Sequence, residues 1–160
     1  MKRKDLEILL QKLNVDLYTY AFGLIASERL SADLVSDAIM AATMDRRMIF
    51  EELLDAETET EKRIALFAIK KILYRTTFQL ISKRYRQLRN KVQVQDHLAP
   101  FHGLGLKQKA VLLLKRRTSF EMRDIQEILE VSHVELISLL SSARQLLAMR
   151  SGVESRGGFI

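Results

Sequence analysis

The chain has no cysteine and no tryptophan, and only one proline and six glycines among its 160 residues. Without cysteine it can form neither a disulfide nor a cysteine-ligated zinc site, which is consistent with a reducing cytoplasm. No apolar run approaches the roughly 20 residues that a membrane-spanning helix requires. Acidic and polar residues also interrupt the basic start before any apolar signal-peptide segment. The sequence therefore predicts a soluble, cytoplasmic protein with no membrane partner.

Motifs for catalysis and metal binding are also missing. The sequence contains no G-x-S-x-G motif and no phosphate-binding glycine loop. Its three histidines, His97, His102 and His133, are scattered without the spacing of metal ligands. We therefore expect no enzyme activity, no catalytic residue, no metal site and no cofactor.

Helix breakers are scarce in the first two thirds of the chain. Neither glycine nor proline occurs between Gly23 and Pro100, and apolar residues recur there at helical spacing. This pattern predicts an all-α fold. We expect one helix over residues 6–26, a second with Ser31 as its N-cap, and a long helix that begins at the Thr58–Glu61 capping box and ends near residue 90.

The proline and two of the glycines lie in residues 92–105, which we interpret as a linker. It separates two small helical domains, residues 1–91 and 106–150, and a flexible tail is expected over 151–160.

The second domain has the pattern of a helix-turn-helix. After a helix over Leu106–Arg117, the capping boxes Thr118–Glu121 and Ser132–Glu135 each precede an apolar periodic segment. A short helix, a tight turn and a longer helix are the parts of this motif.

Positive charge is concentrated in the middle of the chain. The net charge is +6, but residues 1–60 carry 7 basic and 12 acidic side chains. From Lys62 to Gln95 there are ten lysines or arginines and no acidic residue. This distribution favours a polyanionic partner.

The long basic helix has two different faces. Ala65, Ile69 and Leu73 fall on one face, which we expect to lie in the core. The opposite face alternates aromatic rings with cations, as proteins that bind single-stranded nucleic acid do. An alternative is that the rings pack beneath a neighbouring helix and the cations are only solvated. The candidate nucleic-acid-binding residues of this helix are Phe67, Lys70, Lys71, Tyr74, Arg75 and Phe78, followed by Lys83, Arg84 and Arg86.

Asp33 and Asp37 lie four residues apart and therefore on one helix face. No histidine or third carboxylate stands at matching spacing, so the pair is poorly suited to hold a metal. We interpret it as part of an exposed docking surface.

In this order, the segments resemble the small two-domain bacterial RNA polymerase sigma factors of the extracytoplasmic-function (ECF) type. Residues 31–39, S-A-D-L-V-S-D-A-I, are similar to the A-E-D-L-V-Q-E-x-F segment of sigma region 2. Residues 65–72, A-L-F-A-I-K-K-I, lie where that family has W-L-x-x-I-A-R-N, and residues 124–147 are similar to the helix-turn-helix of region 4. The resemblance extends from about residue 6 to residue 147 and implies a region 2-like bundle joined to a region 4-like domain.

The resemblance implies a transcription initiation factor whose partners are core RNA polymerase and promoter DNA. Asp33 and Asp37 would dock on the polymerase clamp helices, and the long basic helix would engage the melted minus-ten element. The last helix would face upstream duplex DNA. Its outward residues are Ser138, Ser141, Ser142, Arg144 and Gln145. Sigma factors also bind anti-sigma proteins, for which an exposed apolar surface at Val134 and Ile137 is suited.

The chain departs from the family pattern at several positions. Ala65 and Ile72 replace the tryptophan and asparagine of region 2, Glu130 replaces the turn glycine of region 4, and Arg144 is the only basic residue on the recognition face. These departures favour an alternative, in which a sigma-fold protein without promoter recognition acts through protein contacts, as an anti-sigma decoy or a polymerase-associated modulator. A third interpretation is a general helical binder of DNA or membrane surfaces that uses residues 62–91.

Overall fold

The computed structural model describes residues 2–89 and 99–157, and its regular secondary structure in these ranges is entirely α-helical. The eight helices of this part are α1 Arg3–Ile25, α2 Glu28–Asp45, α3 Arg47–Asp55, α4 Glu59–Arg89, α5 Ala99–His102, α6 Leu106–Arg117, α7 Met122–Leu129 and α8 His133–Gly157. The prediction of an all-α chain is confirmed.

Hydrogen bonds at the helix starts bear out one predicted capping box in full and the serine cap of another. At the start of α4, the Thr58 hydroxyl accepts from the Glu61 N–H (3.1 Å) and the Glu61 carboxylate accepts from the Thr58 N–H (3.2 Å). The predicted capping box is therefore present. Ahead of α8, the Ser132 hydroxyl accepts from the Glu135 N–H (3.1 Å).

The predicted start of α2 was wrong. The helix begins at Glu28, and its N-cap is Ser27, whose hydroxyl accepts from the Leu30 N–H (3.4 Å). Ser31 lies inside the helix and is fully buried. The reason lies in Ala26, which ends α1 in a left-handed conformation (φ 55°) and lets the chain enter α2 almost at once.

The predicted capping box at Thr118–Glu121 was also wrong. Helix α7 begins at Met122, and the Glu121 N–H donates to the Asp124 carboxylate (3.0 Å). The Thr118 hydroxyl instead accepts from the Phe120 N–H (3.3 Å). Because the Phe120 ring is buried, it fixes the segment that leads into α7 and delays the helix.

Helix α4 is the centre of the packing. It contacts α1, α2 and α3, and it also contacts α7 and α6. Ala65, Ile69 and Leu73 are buried, as the apolar pattern predicted. One hydrophobic cluster contains side chains from both predicted domains, including Leu17 of α1 and Leu136 of α8.

Helix α6 rests on the C-terminal part of α1. A Cβ atom at Gly23 would lie 2.6 Å from Cδ1 of Leu113, so a larger residue there would require the Leu113 side chain to shift. The Lys109 ammonium, which is buried, donates to the Leu24 carbonyl (2.6 Å) in the last turn of α1, where carbonyls lack intrahelical partners. It also lies 5.1 Å from the centroid of the Tyr85 ring.

The predicted linker and tail lie only partly within the described residues. Residues 92–98 of the linker are outside them, and the remainder forms α5 and the turn that leads to α6. Helix α8 continues to Gly157, whereas residues 158–160 of the predicted tail are outside the described part.

Candidate nucleic-acid interface

The aromatic stripe of α4 is largely covered. Phe67, Tyr74 and Phe78 share one face of the helix, as the sequence spacing indicates. Tyr74 and Phe78 are only 6% and 5% exposed, and Phe67 is 37% exposed. In this arrangement, two of the three rings are therefore not accessible to a nucleic-acid base.

Phe120 covers part of the stripe, at Phe67 and Tyr74. Its ring centroid lies 5.7 Å from that of Phe67 and 5.3 Å from that of Tyr74, in edge-to-face geometry. The ring of Tyr20 in α1 also packs against Tyr74, with 5.0 Å between the two ring centroids. We call these four rings the aromatic cluster. Its geometry corresponds to the alternative in which the α4 rings pack beneath a neighbouring segment, and burial makes such contacts favourable.

Burial also affects the ionisation of the two tyrosines. It raises the pKa of Tyr20 well above its usual range, and the neighbouring Tyr74 raises it further. Burial, and secondarily the charge of Asp16, raises the pKa of Tyr74 to about 12. Both rings therefore stay neutral at physiological pH and act as apolar packing groups.

The cations beside the aromatic stripe pair with carboxylates of α7 and its turn. The Lys71 ammonium lies 2.8 Å from the Glu127 carboxylate and 3.5 Å from that of Asp124. Its pKa is raised, chiefly by the hydrogen bond to Glu127. Arg75 pairs with Glu130. The side chain of Gln79 donates to the same carboxylate (3.0 Å). We call these contacts the charged row.

The remaining candidate cations of α4 are less constrained. Lys70 is half-buried, and Lys83, Arg84 and Arg86 are exposed. Arg84 lies 3.9 Å from the Asp37 carboxylate, and both side chains are more than half exposed. Lys83, Arg84 and Arg86 also line an open cavity of about 740 Å³ between the end of α4 and the start of α6. These side chains are available to an anionic partner.

The acidic pair of α2 lies on an exposed surface. Asp33 and Asp37 are solvent-exposed, and Met40 and Met44 continue the same helix face. The two methionines are 59% and 74% exposed. An apolar and acidic strip of this kind is suited to contact another protein, because flexible methionine side chains adapt to different partners.

Helices α7 and α8 are joined by a tight turn at Glu130. This residue adopts a left-handed conformation (φ 56°, ψ 46°), which glycine occupies most readily. The N–H groups of Glu130 and Val131 both donate to the Gln126 carbonyl. The turn therefore has the geometry of a glycine-ended helix, although its residue is glutamate.

The outer face of α8 is open. Leu136, Leu140 and Ala143 are buried, whereas Ser138, Ser141, Arg144 and Gln145 are exposed. Ser142 is half-buried and accepts a hydrogen bond from the Gln108 side chain (2.8 Å). Val134 and Ile137 are 78% and 47% exposed, as expected from the sequence. Of the five predicted DNA-facing residues, four therefore point into solvent and one is engaged with α6.

Sequence reasoning missed the residues that cover α4. These are Phe120, Asp124, Glu127 and Glu130. The sequence did contain a signal. The three acidic residues recur every three positions along α7 and its turn, and their partners recur every four positions along α4, at Lys71, Arg75 and Gln79. Such complementary spacing indicates two helix faces that can pair.

Within the described ranges, no group of three or more histidine, aspartate or glutamate side chains is arranged to hold a metal ion. No helix of that part is long and apolar enough to cross a bilayer. Searches of protein-family models, of curated proteins and of solved structures found no match to this chain.

Proposed function

We propose that the chain is a transcription initiation factor similar to the ECF-type sigma factors, which binds core RNA polymerase and promoter DNA without catalysing a reaction. The observation that carries this proposal is the short helix, tight turn and long helix of α7 and α8, whose outer face is exposed. This arrangement suits insertion of one helix into the major groove of DNA.

Base reading would fall to the outer face of α8. Serine, glutamine and arginine side chains hydrogen-bond to base edges, and Ser138, Ser141 and Gln145 are available for this. Phosphate contacts position a protein on DNA, and they require more cations than Arg144 alone. Exposed basic residues at the end of α6 and the start of α7 would supply them. These are Lys115, Arg116, Arg117 and Arg123.

Core polymerase would bind a different surface, on α2. The exposed strip of Asp33, Asp37, Met40 and Met44 combines acidic and apolar groups, which supports docking on a basic, partly apolar helical surface. Melted DNA would then contact α4, where Phe67 would stack with a base and nearby cations would hold phosphates. Tyr74 and Phe78 would stack with bases only after the segments that bury them move away.

A second candidate function is a sigma-fold protein that acts only through protein contacts, as an anti-sigma decoy or a polymerase-associated modulator. The burial of Tyr74 and Phe78 favours it, because neither ring is free to stack with a base in this arrangement. The two functions differ in whether the chain binds DNA.

Polymerase binding can be tested with charge reversal on α2. In a pull-down at low salt, the wild-type chain is expected to retain core RNA polymerase, and the Asp33→Lys/Asp37→Lys variant is expected to lose it. The Glu7→Lys/Glu52→Lys variant makes the same change in net charge at exposed positions outside the strip and is expected to bind normally. Failure of the wild-type chain to retain polymerase would refute the proposal.

DNA binding can be tested by sequencing the DNA that the reconstituted complex retains. Enrichment of a common promoter element is expected, and Arg144→Ser is expected to weaken binding and to reduce the salt slope by about 0.9 if one phosphate contact is lost. Arg46→Ser, which removes an exposed arginine between α2 and α3, is the control. Polymerase binding without any enriched DNA element would favour the second function.

A further inference from the structure

The contact between α4 and α7 combines the aromatic cluster with the charged row. Both involve the α4 side chains that the proposed function assigns to single-stranded DNA. Lys71 and Arg75 are paired with Glu127 and Glu130, and Tyr74 packs against Phe120. The same face of α4 therefore cannot bind α7 and a nucleic-acid strand at once.

The acidic groups that neutralise α4 come from a distant part of the chain. No acidic residue occurs between Lys62 and Gln95, so α4 supplies none of its own beyond its first turn. The carboxylates that face α4 belong instead to Asp124, Glu127 and Glu130. The hydrogen-bonded partners among them lie 51 to 56 residues after their α4 partners in the sequence. A carboxylate oxygen that accepts from lysine or arginine occupies the place that a phosphate oxygen would take.

The charged row is accessible to water except at Asp124, whose side chain is 11% exposed. The Lys71 side chain is 26% exposed, and those of Arg75 and Glu130 are 44% and 53% exposed. Salt and competing anions screen pairs of this kind, whereas fully buried pairs are much less affected. The row is therefore suited to a contact that opens.

We propose that α7 is an autoinhibitory element, whose carboxylates hold it over the aromatic and basic face of α4 and exclude single-stranded DNA until α7 moves away. This inference rests on the proposed role of α4. If the open form is about one tenth of the molecules, the apparent dissociation constant for DNA is raised about tenfold.

The absence of tryptophan allows a direct test on the full chain. A Phe120→Trp background introduces one tryptophan, whose emission reports whether position 120 is packed against Tyr74. In this background, Glu127→Lys/Glu130→Lys is expected to shift the emission to the red. It is also expected to bind a labelled single strand of about 12 nucleotides on the order of tenfold more tightly than the control. The control, Glu7→Lys/Glu52→Lys, adds the same charge at exposed positions of α1 and α3.

A charge swap checks the cause. Adding Lys71→Glu/Arg75→Glu to the opened variant re-forms the pairs with reversed signs and is expected to restore the blue-shifted emission. Far-ultraviolet circular dichroism verifies that each variant folds. If Glu127→Lys/Glu130→Lys does not fold, Glu127→Gln/Glu130→Gln takes its place, because it removes the carboxylate charges without reversing them.

The outcomes separate the two proposals. If tryptophan emission is unchanged in both the Glu127→Lys/Glu130→Lys and the Glu127→Gln/Glu130→Gln variants, autoinhibition by α7 is overturned. The DNA-binding role of α4 is then judged from the binding of single-stranded DNA by the wild-type chain. A red shift without tighter DNA binding than the control overturns the role of α4 and the inhibition together. A red shift with tighter binding supports both.

Discussion

At the scale of one residue, the structure explains why Glu130 stands where the region 4 pattern has a turn glycine. Its left-handed backbone (φ 56°) favours glycine, and a residue with a side chain is strained there by about 1 kcal/mol. Its carboxylate, however, contacts both Arg75 and Gln79 of α4. The glutamate therefore serves a contact that glycine could not make.

Two glycine substitutions separate these effects. Ala26→Gly relieves a left-handed residue (φ 55°) for which no polar side-chain contact exists, and we expect it to raise the free energy of unfolding by about 0.5 kcal/mol. Glu130→Gly gives the same relief but removes the contacts to α4, so its net effect is expected to be smaller or destabilising. Urea unfolding measures both variants. Equal gains would show that the Glu130 carboxylate adds nothing to stability.

At the scale of a helix, local hydrogen bonds explain which sequence signals marked the true ends. Thr58 and Ser132 are caps because their hydroxyl groups accept from N–H groups three residues later. Ser31 is also a serine but lies one turn inside α2, since Ala26 turns the chain directly into α2 and Ser27 takes the cap position. When two serines lie within about one turn, the sequence does not show which one is the N-cap, because the choice depends on where the preceding helix ends.

Alanine substitution at these two serines tests the position of the cap. Ser27→Ala is expected to lower the free energy of unfolding by about 1 kcal/mol. Ser31→Ala is expected to leave it unchanged or to raise it, because the buried hydroxyl has no hydrogen-bond partner within the described residues and alanine favours helix. A larger loss for Ser31→Ala than for Ser27→Ala would place the cap at Ser31.

His102 of α5 gives a prediction that depends on pH. Burial, and secondarily the charge of Lys109, lowers its pKa from 6.5 to about 4. Between these values the unfolded chain binds a proton that the folded chain does not, so the contribution of His102 to stability is complete above pH 6.5 and is lost as the pH falls toward 4. Because the ring is only half-buried, we expect a loss of about 1 kcal/mol after allowance for solvent screening.

Unfolding in urea at pH 7 and pH 5 measures this effect. His102→Gln is expected to reduce the difference between the two pH values, whereas His133→Gln, at an exposed position, is expected to retain it. If both variants keep the wild-type difference, another group causes the pH dependence.

At the scale of the whole molecule, the two predicted domains share one hydrophobic cluster. Leu73 of α4, Leu24 of α1 and Ile128 of α7 all belong to it. Phe120 links the halves through its contacts with Phe67 and Tyr74. This packing predicts that the halves unfold together.

Calorimetry tests the prediction. We expect one cooperative transition for the wild-type chain and a loss of about 3 kcal/mol for Phe120→Ala, because the buried ring leaves a cavity. Ile64→Ala, which truncates an α4 side chain that is 66% exposed, is expected to change stability by less than about 0.5 kcal/mol. Two separate wild-type transitions would show that the halves are thermodynamically independent.

Much of the fold was predictable because helix formation is local. The scarcity of glycine and proline and the apolar spacing identified α1, α4, α6 and the α7–α8 pair, and Leu106–Arg117 was predicted with its observed bounds. Part of the candidate site was predictable in the same way, since spacing alone put Phe67, Tyr74 and Phe78 on one face of α4. DNA and polymerase binding remain predictions.

The sequence by itself determined that the chain is helical, that α4 carries a row of rings and cations, and that the region before α4 is acidic. Only the tertiary structure decided what that row contacts. Helical periodicity depends on residues three or four apart, so it identifies a face but not its partner. The partner of α4 lies more than 50 residues away in sequence, at Glu127 and Glu130, and only packing across that distance brings their carboxylates to Lys71 and Arg75.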